Sequence, residues 1–200
     1  MTHAPHATHT FDLSGGRLCL DFANTVSGMR GVKPKERLAG YAGLVEFAVQ
    51  AGAVGESLAR RLAAEARRRP REAEKAFEEA LALREALYRI FVARANGGEP
   101  AGGDVELLSG ALSRALSHRA IARRGEGFAL SWEDGAALDA PLWPVVESAA
   151  ELLAGGEELR GRLDDGPERR VERRAVLPRE REALPAAGDR AVRELSLIHI

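Results

Sequence analysis

One cysteine in 200 residues, Cys19, rules out an intramolecular disulfide and any zinc site built from several thiolates. Leu18 and Phe22 share its helical face, so a buried, inert thiol is expected rather than a nucleophile. Charge of one sign is also missing: 29 basic residues stand against 30 acidic ones, a formal net charge of −1. A nucleic-acid binder usually carries a basic excess, so this balance points to an ordinary solvated surface. No run approaches the roughly 18 apolar residues that span a bilayer. Met1-Thr2-His3-Ala4-Pro5-His6 lacks the basic and apolar regions of a secretory signal, and a cytoplasmic protein is the expectation. Gly-x-Gly-x-x-Gly, the phosphate-loop lysine motif, Gly-x-Ser-x-Gly and His-Glu-x-x-His are all absent. Nucleotide binding and the familiar hydrolase chemistries therefore have no support, and a protein that is not an enzyme is expected.

What is present is a core-forming helical pattern. A hydrophobic fraction of 45% in 200 residues allows one domain, or one domain with a small appendage. The densest information lies in Gly15-Gly16-Arg17-Leu18-Cys19-Leu20-Asp21-Phe22-Ala23-Asn24-Thr25-Val26. At about 100° per residue, Leu18, Cys19, Phe22, Ala23 and Val26 fall on one face, and Arg17, Asp21, Asn24 and Thr25 on the other. As a strand, neither face is clean. The run reads as a short amphipathic helix opened by two glycines.

Further along, Arg30 to Arg37 reads as a basic loop around Pro34. A helix is expected from Leu38 to Val54, closing near Gly52, and another from Glu56 to Arg68, stopped by Pro70. The clearest element runs from about Arg71 to Ala95, with Phe77, Ala80, Leu81, Leu87, Tyr88 and Phe91 on its apolar face and Asn96-Gly97-Gly98 beyond it. Arg84 sits in the middle of that face, where an unpaired charge would be expensive. A buried pair with Asp21 is expected to satisfy it. Asp104 to Leu116 forms a further helix. Ala120-Ile121-Ala122 and Phe128-Ala129-Leu130-Ser131-Trp132 then flank a glycine-bearing turn, a β-hairpin that should lie on the helices. Asp139 is expected to cap the last helix, with Pro141 in its first turn and Gly155-Gly156 closing it. Together these predict a mainly α, α+β fold, an orthogonal-type helical domain with one small antiparallel β-hairpin.

The signature Gly-Gly-Arg-Leu-x-Leu-Asp-Phe-x-Asn-Thr resembles the start of the ABATE domain, found in bacterial proteins described as stress-induced transcription regulators. Leu83-Arg84-Glu85-Ala86-Leu87-Tyr88, Phe128-Ala129-Leu130-Ser131-Trp132 and Ser148-Ala149-Ala150-Glu151-Leu152-Leu153 resemble later segments of that family in the expected order. The resemblance implies a sensory or interaction domain joined to a C-terminal four-cysteine zinc finger ending in Cys-Gly-Asn-Arg, which would contact DNA. No such finger is present here, so the resemblance implies no zinc in this chain and DNA binding that is weak or absent.

The domain organisation follows. Residues 1–10 form a flexible N-terminus, whose His3, His6 and His9 lack the fixed geometry of a metal site. Residues 11–160 form the ABATE-like helical domain. Residues 161–194 alternate charge, as in Glu168-Arg169-Arg170-Val171-Glu172-Arg173-Arg174, and read as a low-order tail in the place of a frameshifted zinc finger. Leu195-Ser196-Leu197-Ile198-His199-Ile200 reads as translated adapter DNA.

One constellation stands out: Arg17, Asp21, Asn24, Thr25 and Arg84. Three readings compete for it, namely a structural hydrogen-bond network, a small-ligand sensor site and, least favoured, catalysis. Two functions therefore stand side by side. The first is the sensory or interaction domain of a regulator. The second is a small-molecule-binding or enzymatic helical domain working through that cluster. A ligand, a protein partner or a second copy of the chain are the partners to expect, without a membrane.

Overall fold

The structure, a computed structural model, describes residues 11–28, 33–132 and 136–155. Six helices dominate it: α1 (Leu18–Ala23), α2 (Gly40–Gln50), α3 (Glu56–Arg68), α4 (Pro70–Ala95), α5 (Gly102–Leu116) and α6 (Trp143–Ala154). Two antiparallel strand pairs accompany them, β1 (Val26–Ser27) with β2 (Lys35–Glu36) and β3 (Arg119–Arg124) with β4 (Gly127–Trp132). The mainly helical class is as expected, but there are two strand pairs where one was read. The predicted flexible N-terminus, charged tail and final hexapeptide lie outside the described residues.

The helix periodicities translate closely into structure. Pro70 stops α3 and also opens α4, occupying a first-turn position where its missing N–H costs nothing. Only Arg69 separates the two helices. Helix α1 lies at the centre, packed on α4 and α6, with Cys19, Leu20, Asp21, Phe22 and Ala23 all buried. It is shorter than its pattern suggested. The chain leaves the helix at Asn24, the Thr25 N–H donates to the Phe22 carbonyl at 3.1 Å, and Val26 enters β1. Phe22, Phe47 and Phe91 are the largest fully buried side chains and join α1, α2 and α4 in one core. Gln50 clamps the entering chain in both directions, accepting from the Phe11 N–H at 3.0 Å and donating to its carbonyl at 2.8 Å.

Two expectations need correction. Asp139 makes no side-chain cap; it precedes a 3-10 turn at Ala140–Leu142, and α6 starts only at Trp143, with Pro144 in its first turn. The β3–β4 hairpin turns through Gly125-Glu126 in the expected place, yet it does not lie on the helices along its length. Its base packs, with Arg119 over the Trp132 ring at 4.1 Å and Trp132 against Trp143 at 5.8 Å. Ile121, Phe128 and Leu130, which share that face by register, are left exposed, Phe128 by 76%. No helix among the described residues is long and apolar enough to cross a membrane.

Candidate functional site

The fold brings the polar constellation read from the sequence together only in part: Arg84 meets Thr25, whereas Asp21 bonds to Gly15 and Arg17 reaches toward Glu151. Arg17 precedes α1 and reaches toward α6, its guanidinium 4.0 Å from the Glu151 carboxylate. Asn24 closes α1, half-buried, with its backbone N–H on the Leu20 carbonyl at 2.9 Å. Asp21 turns back on the glycine pair, where its Oδ1 accepts the Gly15 N–H at 2.7 Å. Burial pushes the Asp21 carboxyl above its usual range, the Gly15 hydrogen bond opposes that rise, and nearby Asp12 adds to it. A Cβ on Gly15 would lie 2.8 Å from that same oxygen, so the turn needs glycine.

Arg84 does not pair with Asp21. Its side chain is 4% exposed, and its fork closes on Glu36, Nη1 to Oε1 at 2.7 Å and Nη2 to Oε2 at 2.8 Å. The same guanidinium donates to the Thr25 hydroxyl at 3.3 Å and, through Nε, to Glu85 at 3.1 Å. Thr25 is itself buried and donates its hydroxyl to the Phe22 carbonyl at 2.8 Å. A bidentate carboxylate with two further acceptors meets the charge of a buried guanidinium, whose planar fork suits that geometry. Burial would raise the Glu36 carboxyl, but the Arg84 hydrogen bonds and the backbone N–H groups of Leu38 and Arg37 outweigh it and hold it below its ordinary range.

Glu36 was missed because it lies in a basic stretch, Lys33-Pro34-Lys35-Glu36-Arg37, that reads as a plain loop. It sits there in β2, paired with Val26 of β1. Arg84 therefore fastens the β1–β2 ribbon onto α4. Gly28 follows β1 at φ +86°, and a Cβ there would come within 2.7 Å of the Lys33 carbonyl oxygen, so the ribbon closes only around glycine.

Elsewhere, Cys19 is fully buried, its backbone N–H on the Ser148 hydroxyl at 3.3 Å, and burial pushes its thiol up to about 11. The zinc that the resemblance attaches to a four-cysteine finger has no fit in this domain, since Cys19 is the chain's single cysteine. His118 stacks on Trp143 with ring centroids 4.2 Å apart, which gives it a packing role. Away from Arg84, on the side of α4 that meets α5 and the 3-10 turn, a cavity of about 240 Å³ opens to solvent.

No curated protein and no solved structure matches the chain. The model of the ABATE family, whose description reads "Putative stress-induced transcription regulator", matches residues 16–156.

Proposed function

The chain belongs to the ABATE family, and we propose that residues 11–155 act as the signal-receiving or partner-binding domain of a transcription regulator rather than as an enzyme. The observation that carries this reading is the extent of the match, which takes in the whole helical body from α1 to α6. DNA affinity would come from a separate zinc-binding module of the family kind. The use made of Arg84 also supports a non-enzymatic role. Its donors are engaged by Glu36, Thr25 and Glu85, and a guanidinium spent on holding a ribbon is a poor candidate for binding a reacting group. The rival reading, a ligand-binding or catalytic site formed by Arg17, Asp21, Asn24, Thr25 and Arg84 together, loses force because Asp21 is engaged by the Gly15 N–H and Arg84 and Thr25 by each other and by Glu36 and the Phe22 carbonyl.

Fluorescence anisotropy with a labelled mixed-sequence duplex tests the proposal. At 150 mM salt the chain alone should bind no more tightly than non-specific binders do, about 10⁻⁴ to 10⁻⁶ M. A fusion to a zinc finger from another ABATE protein should bind at least tenfold more tightly. Saturable sub-micromolar binding by the unfused chain would overturn the division of labour.

A further inference from the structure

The cavity beside α4 is walled by Leu83 of α4, Leu107 and Ala111 of α5, Leu142 of the 3-10 turn, and Trp143 and Val146 of α6. Its volume of about 240 Å³ lies below the ~300–1,000 Å³ of sites for drug-sized molecules, so it suits a small metabolite. Leu107 remains 42% exposed while lining it, an apolar side chain kept available on the wall. Trp143, 2% exposed, closes the inner end of the apolar wall.

Charge distribution at the mouth defines what that ligand carries. Three charged residues border the cavity, Glu79, Arg114 and Asp139. Glu79 already has Lys75 as a partner at 3.8 Å. Arg114 and Asp139 form neither an ion pair nor a side-chain hydrogen bond with any described residue, including each other. Both also line the shallower adjoining cavity, so they stand where the two spaces join. The Arg114 guanidinium folds back over Gly110, where a Cβ would meet its Nη1 at 3.7 Å. Tyr41, buried with its hydroxyl unpartnered among the described residues, feels the charges of both Asp139 and Arg69, which border that second space.

We infer that this cleft binds a small zwitterion with an apolar side chain, of the class of hydrophobic α-amino acids. The carboxylate would go to Arg114, the ammonium to Asp139, and the side chain between Leu83, Leu107, Leu142 and Val146. An acid alone would meet the Asp139 carboxylate at the same mouth, and an amine alone would meet Arg114. Only a ligand bearing both signs is favoured by both residues. The inference rests on the signal-receiving reading above, but DNA has no part in its test. Failure to bind the ligand would leave the anisotropy result to decide that reading separately.

Three probes with the same six-carbon backbone separate the contributions: L-norleucine, hexanoate and hexylamine. Each would be titrated to 10 mM into the ¹⁵N-labelled full chain, followed by ¹H–¹⁵N correlation spectra. L-Norleucine should shift the amides of Leu107, Ala111 and Val146 and bind at least tenfold more tightly than either single-charge analogue. Arg114→Gln should weaken L-norleucine at least tenfold and strengthen hexylamine, and Asp139→Asn should weaken L-norleucine similarly and strengthen hexanoate. No shifts at 10 mM, equal affinity for all three probes, or shifts confined to other residues would each overturn the assignment. The three wild-type titrations decide it even if one variant fails to fold.

Discussion

Arg84 and Glu36, 48 residues apart in sequence, meet in a two-bond fork at 2.7 and 2.8 Å that holds a ribbon against the longest helix. The pair is lopsided: the arginine side chain is 4% exposed and the glutamate 44%. This asymmetry predicts unequal costs. Glu36→Ala strands a buried cation with only Thr25 and Glu85, and should destabilise by about 2–3 kcal/mol, below the ~3–5 kcal/mol of a fully buried pair because water can reach the gap. Arg84→Met leaves a carboxylate that solvent can take up while keeping most of the packing, and should cost about 1–2 kcal/mol. Urea unfolding of both variants checks the order. Arg84→Met being the more damaging would show that packing, not charge, governs the site.

Acid should weaken the same contact. The folded state holds Glu36 below its ordinary value of 4.5, so its contribution is fully present above that pH and is lost as pH falls through the lower folded value. Glu36→Gln carries no such group. The stability gap between wild type and Glu36→Gln should therefore hold from pH 6 down to about 4.5 and narrow below it. A gap independent of pH would mean that the fork contributes nothing through its charge.

Asp21 carries the opposite sign. Burial raises its carboxyl, so the folded state favours the neutral form, and its stability contribution falls as pH rises through the folded value. Asp21→Asn, which keeps an oxygen for the Gly15 N–H, should be nearly neutral at pH 7. Asp21→Ala leaves that buried N–H without its acceptor and should cost about 1–3 kcal/mol. Thermal melts of the two variants distinguish an acceptor role from a charge role: a loss confined to Asp21→Ala supports the acceptor, and equal losses would argue for the charge instead.

Cys19 should be protected in the folded chain. Its thiol is buried and held near 11, so the thiolate that reacts with disulfide reagents is scarce at pH 8. Reaction with a chromogenic disulfide should be at least 100-fold slower for the native protein than in 6 M guanidinium. Rapid native labelling would place the thiol at the surface.

The hairpin offers a contrast along one face. Phe128→Ser removes a side chain that is 76% exposed and should change stability by less than about 0.5 kcal/mol. Trp132→Ala breaks contacts with Arg119 and Trp143 and should cost about 2–4 kcal/mol. A large loss from Phe128→Ser, measured by urea unfolding on dilute protein, would show that something covers the hairpin in solution.

Local pattern was enough for the existence of the helices, though not for the end of α1 or the start of α6. Apolar spacing along α4 and the prolines and glycines at its ends determine where it starts, where it stops and which face it buries, because those signals act within one or two turns. The turn of the β3–β4 hairpin and the buried state of Cys19 are likewise local. The need for a partner at Arg84 was legible from its place on an apolar face, but the partner's identity was not. Asp21 lies in the neighbouring buried helix and looked nearest, whereas Glu36 lies in a basic stretch that hides it. Choosing between them required knowing where a two-stranded ribbon would land on α4. The same holds for the uncovered hairpin face and for the cleft that joins Arg114 to Asp139. Side-chain periodicity decides what is buried on each element, whereas packing between distant elements decides which charges meet and which stay apart.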